Sequence, residues 1–227
     1  MLEIQQKDNM KRYIESLQNC ILFKDIEKEN ILALVGCLGG KIRNFSKEQC
    51  LISDCNHKNI SGIVLTGALQ IEQYDYCGNR SILSRIEPLH LFGEAYSFSN
   101  ESIPVNIVAA EDSIVLFFNS LKIGTPCQNH CKFHITLINN MLRILATKNI
   151  ALNKKIQCMS KRTTREKLLN YLYSESQKSS SDEFCIPYDR QSLADYLCVE
   201  RSAMAAEISK LRNEKIIECK KNRFRFL

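Results

Sequence analysis

Arg201 and Ser202 open a run to Leu211 with helical spacing, directly after the short segment Cys198-Val199-Glu200. The preceding run, about 190–197, has the same period, so two helices of about 190–197 and 201–214 are joined by a turn. Leu193, Ala194, Leu197, Val199, Met204, Ile208 and Leu211 are the inward positions, and Ala194 is small where two helices must approach closely. These are helix-turn-helix mechanics, in which the N-terminal end of the second helix enters the major groove. There Arg201 can pair with guanine O6 and N7, Ser202 can reach a base edge, and the Ala205 methyl can meet a thymine. Arg190, Gln191 and Ser192 begin the first helix, where backbone N–H groups and polar side chains hold phosphate. Lys220, Lys221 and Arg223 fall in a two-stranded wing, Ile216–Cys219 and Phe224–Leu227, and suit further phosphate contacts. A helical hairpin that merely packs would share the inward face, but it needs no basic wing.

A second cluster is Cys127, His130, Cys131 and His134. Its thiols and its imidazoles are each spaced i, i+4, on adjacent faces of one or two helical turns. Thiolate with imidazole suits zinc, copper or haem iron. One straight helix rarely completes a tetrahedral site, so the bland alternative is a core Cys131 and a surface His130, with no cofactor assigned. Only Cys20 and Cys37 lie in the first 45 residues, too few there for an iron–sulfur cluster. No Gly-Lys phosphate loop, Gly-x-Ser-x-Gly elbow or His-Glu-x-x-His occurs, and the expectation is a protein that is not an enzyme.

The elements that must position these residues can be read from period and charge. Apolar residues make up 44% and charged residues 25% of 227, which suits a folded chain with a core. Net charge is +6, with 17 basic against 15 acidic groups in residues 1–157 and 14 against 10 in 158–227, as a polyanion partner would favour. Eleven scattered cysteines, an N-terminus without an apolar signal core and no apolar run of membrane length point to the cytoplasm. Residues 9–36 have helical spacing. Between about 41 and 120, short apolar runs such as Ile63–Leu65, Leu69–Ile71, Ile82-Leu83, Ile107-Val108 and Ile114–Phe118 are broken by Gly62, Gly67, Gly78, Pro88 and Pro104, as in a small β-roll. After Pro126, to about Met159, neither Gly nor Pro appears. There Cys131, Ile135, Ile138, Leu142, Leu145, Asn149, Leu152, Ile156 and Met159 step alternately by four and three, a heptad seam with one polar member, Asn149. Leu137, Met141, Ile144 and Ala151 form a neighbouring stripe. A helix with two apolar faces needs two partners, and the strict period favours a homodimer. Residues 163–176 form another helix, Gln177–Glu183 is a polar loop, and Phe184–Ile186 is a strand.

The chain resembles the Crp/Fnr superfamily of bacterial transcription regulators over nearly its whole length. The resemblance rests on Gly62, Gly67 and Gly78 of the roll, Phe92-Gly93-Glu94, the long helix, Thr163–Leu169, and above all Ile186–Leu197 followed by Val199–Ala203. It implies an α+β fold: an N-terminal cyclic-nucleotide-binding-like jelly roll with flanking helices (1–124), a dimerisation helix (125–160) and a winged helix-turn-helix (161–227). It also implies a homodimer on a palindromic double-stranded operator, allosteric control by a small-molecule effector in the roll, and RNA polymerase as partner of an activator. An effector pocket is then expected at Gly93, Glu94, Ala95, Leu137 and Met141. Relatives that bind cyclic nucleotides clamp the phosphate with an arginine some ten residues after Gly-Glu, whereas this chain has none from 86 to 142. Without that charge-assisted pair cyclic AMP is not expected. Metal or redox sensing and effector-independent DNA binding remain the alternatives. Cys198 replaces the usual turn glycine, and Ala206 replaces an arginine that reads bases in several members.

Overall fold

The structure is a computed structural model; it describes residue 10 and residues 12–52, 61–99, 101, 104–125, 133–179 and 181–227. Two compact units emerge: residues 1–73 with 83–148, and residues 74–82 with 149–227.

Among the described residues the roll has the strands β1 (Lys41–Phe45), β2 (Cys50–Ile52), β3 (Ser61–Thr66), β4 (Leu69–Tyr74), β5 (Arg80–Ile86), β6 (Leu91–Phe92), β7 (Asn106–Ala109) and β8 (Ser113–Phe118), all in the first unit but for the ends of β4 and β5 within residues 74–82. They form two four-stranded sheets, ordered β1-β8-β3-β6 and β2-β7-β4-β5. Strand β3 is buried on both faces because its period of two serves two cores. Ile63 and Leu65 join Leu116 and Phe118 against the helices, while Val64 joins Val115, Ile107 and Phe92 between the sheets. Ile63 pairs with Leu116 and Val64 with Val115 across an antiparallel register. Gly62 is required by this packing, since a Cβ there would lie 2.5 Å from the Phe92 ring.

The helical spacing of residues 9–36 does not become one helix. Residues 12–17 are helical (α1), Ile21–Phe23 form a 3-10 turn, and α2 follows at Lys28–Cys37. Cys20, Leu22 and Phe23 are all buried, which one helical face cannot achieve, and Asp25 turns the chain at φ 63°. A short helix, α3 (Glu94–Ser99), follows β6.

The long helix α4 is His134–Met159; residues 134–148 belong to the first unit and 149–159 to the second. Its two stripes have different fates. Leu137, Met141 and Ile144 are buried in the core that α1 and α2 share. Asn140 anchors this face, donating to the carbonyls of Leu22 (3.1 Å) and Lys24 (2.8 Å). Ala151, the fourth residue of that stripe, is exposed. The heptad seam faces outward: Ile135 is 72% exposed, Leu142 59%, Leu152 56% and Ile156 63%, with Ile138 and Asn149 also exposed. Leu145 is half-buried, and Cys131 lies outside the described residues.

The second unit contains α5 (Thr164–Ser179), β9 (Glu183–Cys185), α6 (Arg190–Leu197), α7 (Arg201–Asn213), β10 (Ile217–Lys220) and β11 (Arg223–Phe226). Thr163 and Glu166 cap α5 reciprocally, each accepting from the other's backbone N–H (3.2 and 3.1 Å). The segment expected as a loop from Gln177 stays helical to Ser179, whose hydroxyl donates to the Ser176 carbonyl (2.9 Å), while Ser176 Oγ donates to the Ser181 carbonyl beyond the helix (2.9 Å). The strands pair β10-β11-β9.

Candidate nucleic-acid interface

Helix α6 starts because the Asp189 carboxylate accepts from the Ser192 N–H (2.7 Å), a bond that also holds its carboxyl below the usual range. It ends at Cys198, in the left-handed region at φ 50° and ψ 56°. That is the conformation for which glycine is the ordinary choice, and a side chain there costs about 1–2 kcal/mol. The turn nonetheless closes: the Val199 N–H donates to the Ala194 carbonyl (3.1 Å). Leu193, Ala194 and Leu197 of α6 and Met204, Ile208 and Leu211 of α7 are buried in one core. With that face fixed, Arg201, Ser202, Ala205 and Ala206 are exposed at the start of α7. Arg201 makes no hydrogen bond or ion pair with any described residue.

Arg190 is placed differently. Its guanidinium lies 4.8 Å from the Phe224 ring centroid, donates to the Lys221 carbonyl (2.8 Å) and contacts Cys219 Sγ (3.6 Å). It therefore braces the wing turn, where Lys221 has φ 53°. Gln191 donates to Asp195 (2.8 Å), and Ser192 is half-buried. Lys220 and Lys221 are exposed, and Arg223 is exposed with an ion pair to Glu183 at 3.3 Å. A surface groove of about 450 Å³ beside the wing adds Arg212 and Arg225, two cations that sequence reasoning did not single out. Their only signal was the basic C-terminal tail.

Sequence reasoning also missed Lys155. Its Nζ donates to the Ile82 carbonyl (2.6 Å) and sits 4.0 Å from the centroid of Tyr196. Burial pushes this ammonium down to about 8, while the nearby thiols of Cys198 and Cys158 act the other way. An unfolded chain keeps the lysine at its ordinary value near 10.5, so between pH 8 and 10 the unfolded state holds more protons and stability rises with pH. Burial raises the phenol of Tyr196 to about 12, so it stays protonated across this window. The stability of the wild type minus that of Lys155→Met, measured by urea unfolding from pH 7 to 9.5, should therefore increase. A flat difference would show an ordinary lysine.

In the first unit, Gly93 has φ 79° and precedes the buried Glu94. Glu94 Oε1 pairs with Lys148 Nζ of α4 at 2.6 Å, and the same Nζ donates to the Leu91 carbonyl at 2.7 Å. Glu94 Oε2 is buried without a hydrogen-bond partner among the described residues. Ala95 is exposed, whereas Leu137 and Met141 are packed against the N-terminal helices. The expected pocket residues are thus divided between the surface, an ion pair and the core. His134 is half-buried; Cys127, His130 and Cys131 lie outside the described residues. No cluster of metal-ligating side chains occurs among the described residues.

Residues 42–130 match the family model of the cyclic nucleotide-binding domain. In fold the chain is similar to the c-di-GMP-responsive global regulator CLP from Xanthomonas campestris, with TM-score 0.73 and 10% identity over 88% of this chain and 99% of that one. It is also similar to a CooA mutant from Carboxydothermus hydrogenoformans, with TM-score 0.69 and 15% identity over 89% and 92%. A third likeness is to TTHB099, a CRP-family transcriptional regulator from Thermus thermophilus, with TM-score 0.61 and 13% identity over 82% and 91%. The chain has the Crp/Fnr fold. No curated protein matches it in sequence.

Within this Crp/Fnr fold the residues do not fit a cyclic nucleotide in the pose that the resemblance implies. Glu94 has one carboxylate oxygen paired with Lys148, and no arginine occurs from 86 to 142. The cyclic phosphate would lack its guanidinium. No helix among the described residues is long and apolar enough to cross a membrane.

Proposed function

We propose that the protein is a sequence-specific, double-stranded-DNA-binding transcription regulator of the Crp/Fnr type, acting as a homodimer in the cytoplasm and not as an enzyme. The observation that carries this reading is Arg201. It is exposed and unpaired among the described residues at the first position of α7, whose opposite face is fixed by Met204, Ile208 and Leu211. A long planar donor held so can pair with guanine on the groove floor, while Ser202 and Ala205 meet neighbouring base edges. Lys220, Lys221 and Arg223 then contact phosphate from the wing, with Gln191 and Ser192 at the start of α6. Arg190 acts through the wing it braces. Two-fold pairing sets two α7 helices in successive major grooves and calls for a palindrome with half-sites about one helical turn apart. If the protein activates, RNA polymerase is its further partner.

The Lys148–Glu94 pair favours control by an effector other than cyclic AMP. The same pair supports a second reading, in which the roll is structural and binding is effector-independent.

Selection of operators from random duplex DNA tests the proposal. On the enriched site, Arg201→Ala should cost roughly 1–3 kcal/mol, with much less loss on random DNA. Equal losses on both would make Arg201 a phosphate anchor, and failure to enrich any sequence would overturn the function.

A further inference from the structure

The outer face of the wing sheet carries more charge than the proposed function uses. Two rows cross its three strands, Glu218–Arg225–Glu183 and Lys220–Arg223–Cys185, each set by the antiparallel register. All six residues are exposed, whereas Ile217, Phe224 and Phe184 between them are buried. Side chains opposite one another on such a face lie about 5 Å apart at Cβ. Five of the six line the groove of about 450 Å³ beside the wing, and Arg212 joins them from the end of α7.

Arg212, Lys220 and Arg225 form no ion pair with any described residue. Arg223 is shared between Glu183, at 3.3 Å, and Cys185, whose side chain is the largest cause that holds this guanidinium above its ordinary value. Two carboxylates among the cations make the groove a poor seat for a phosphodiester chain, which offers nothing positive to Glu183 and Glu218. The mixed signs suit a small zwitterion of net negative charge, with carboxylates for the arginines and an ammonium for a glutamate. Cys185 closes one end of this surface: it is exposed and stands two residues from Glu183 on the same face. Cys219 belongs to the opposite face, where its Sγ lies 3.6 Å from Arg190 Nη2.

We propose that the groove docks a zwitterionic, net-anionic peptide disulfide of low molecular weight, and that Cys185 exchanges with it to form a mixed disulfide. Cys185 Sγ attacks as the thiolate, its proton having passed to solvent. The disulfide's S–S bond breaks as the bond to Cys185 forms, and the other half leaves as a thiolate. The Cys185 sulfur is thereby oxidised and the leaving half reduced. The adduct sets net negative charge beside Lys220 and Arg223. On the DNA-binding reading, on which this consequence rests, both cations then hold phosphate less well and the wing responds to the thiol–disulfide balance.

Reaction rates on the reduced full chain test the site without any DNA. Glutathione disulfide is the probe, cationic cystamine and neutral 2-hydroxyethyl disulfide are the controls, and peptide mass mapping locates the adduct. At low salt, the rate of the probe at Cys185 relative to cystamine should fall about tenfold when Arg212→Gln and Arg225→Gln are combined, while the neutral disulfide reacts as before. The wild type carrying the adduct should bind random duplex DNA about fivefold more weakly, with a salt slope smaller by about one, and dithiothreitol should reverse both. Cys185→Ser should show neither change. A relative rate that the two substitutions leave unaltered overturns the proposal, and so does an adduct that forms on Cys219 instead. An affinity that the adduct does not alter overturns the wing's response. A wild type that binds no DNA overturns the function instead, and the relative rate still decides the thiol site.

Discussion

Replacing Leu142 and Leu152 together by glutamate should turn the protein into a monomer and abolish operator binding, while each protomer stays folded. Both leucines lie on the outward stripe of α4 and are 59% and 56% exposed in the protomer. No core depends on them, because Leu137, Met141 and Ile144 on the opposite stripe hold the helix to its own chain. In a pair, each buried leucine contributes roughly 1.5–3 kcal/mol. Four leucines are lost and four carboxylates are placed in an apolar seam, a change larger than the whole association energy of a micromolar dimer, about 8 kcal/mol. Sedimentation equilibrium reads the assembly, and thermal melting of the same samples reads the fold. A wild type that sediments as a monomer at micromolar concentration, or a double variant that still sediments as a dimer, would remove the pairing.

The largest loss of stability from one residue is expected for Phe224→Ala. Phe224 is 1% exposed on β11 and stacks on Phe184 with centroids 6.3 Å apart, while Arg190 covers its other environment at 4.8 Å. Truncating a fully buried phenylalanine costs about 3–5 kcal/mol through lost transfer energy and the cavity left behind. The damage extends to function, because Arg190 loses the ring on which it lies and with it the support of the Lys221 turn. Urea unfolding should show the loss in the second unit, and affinity for random DNA should fall as the wing's cations lose their placement. A loss below about 1 kcal/mol would mean that the wing is held by its strand pairing alone.

The helix pair was legible because its evidence is local. Leu193, Leu197, Met204, Ile208 and Leu211 repeat at helical spacing within one short segment, so the outward position of Arg201 follows from the period. The break between α1 and α2 was not, because apolar spacing continues through Cys20, Leu22 and Phe23, and only three-dimensional burial shows that these cannot share one face. Strand β1, Lys41–Phe45, escaped notice since its residues are exposed or half-buried and lack an apolar alternation. For the candidate site, the limiting factor was distance along the chain. Arg80 and Asp195, an ion pair, are 115 residues apart, and Lys148 and Glu94 are 54 apart, so no spacing rule connects them. The second stripe of α4 was visible, but sequence cannot tell a stripe that faces a ligand from one that faces helices, and Leu137 and Met141 face helices. Arg190 shows a similar limit: its type suits phosphate, yet its place beneath the wing depends on Phe224, far along the chain.

The two-sidedness of α4 has a consequence for gene dosage. Since the inward stripe is completed within one chain, folding is unimolecular, and the proposed pairing is a separate second-order event. Below the dissociation constant, the dimer then grows with the square of the total chain concentration. Halving the supply of chains would cut the dimer about fourfold, so transcription of target genes would respond to expression level more steeply than for a regulator that folds only as a pair.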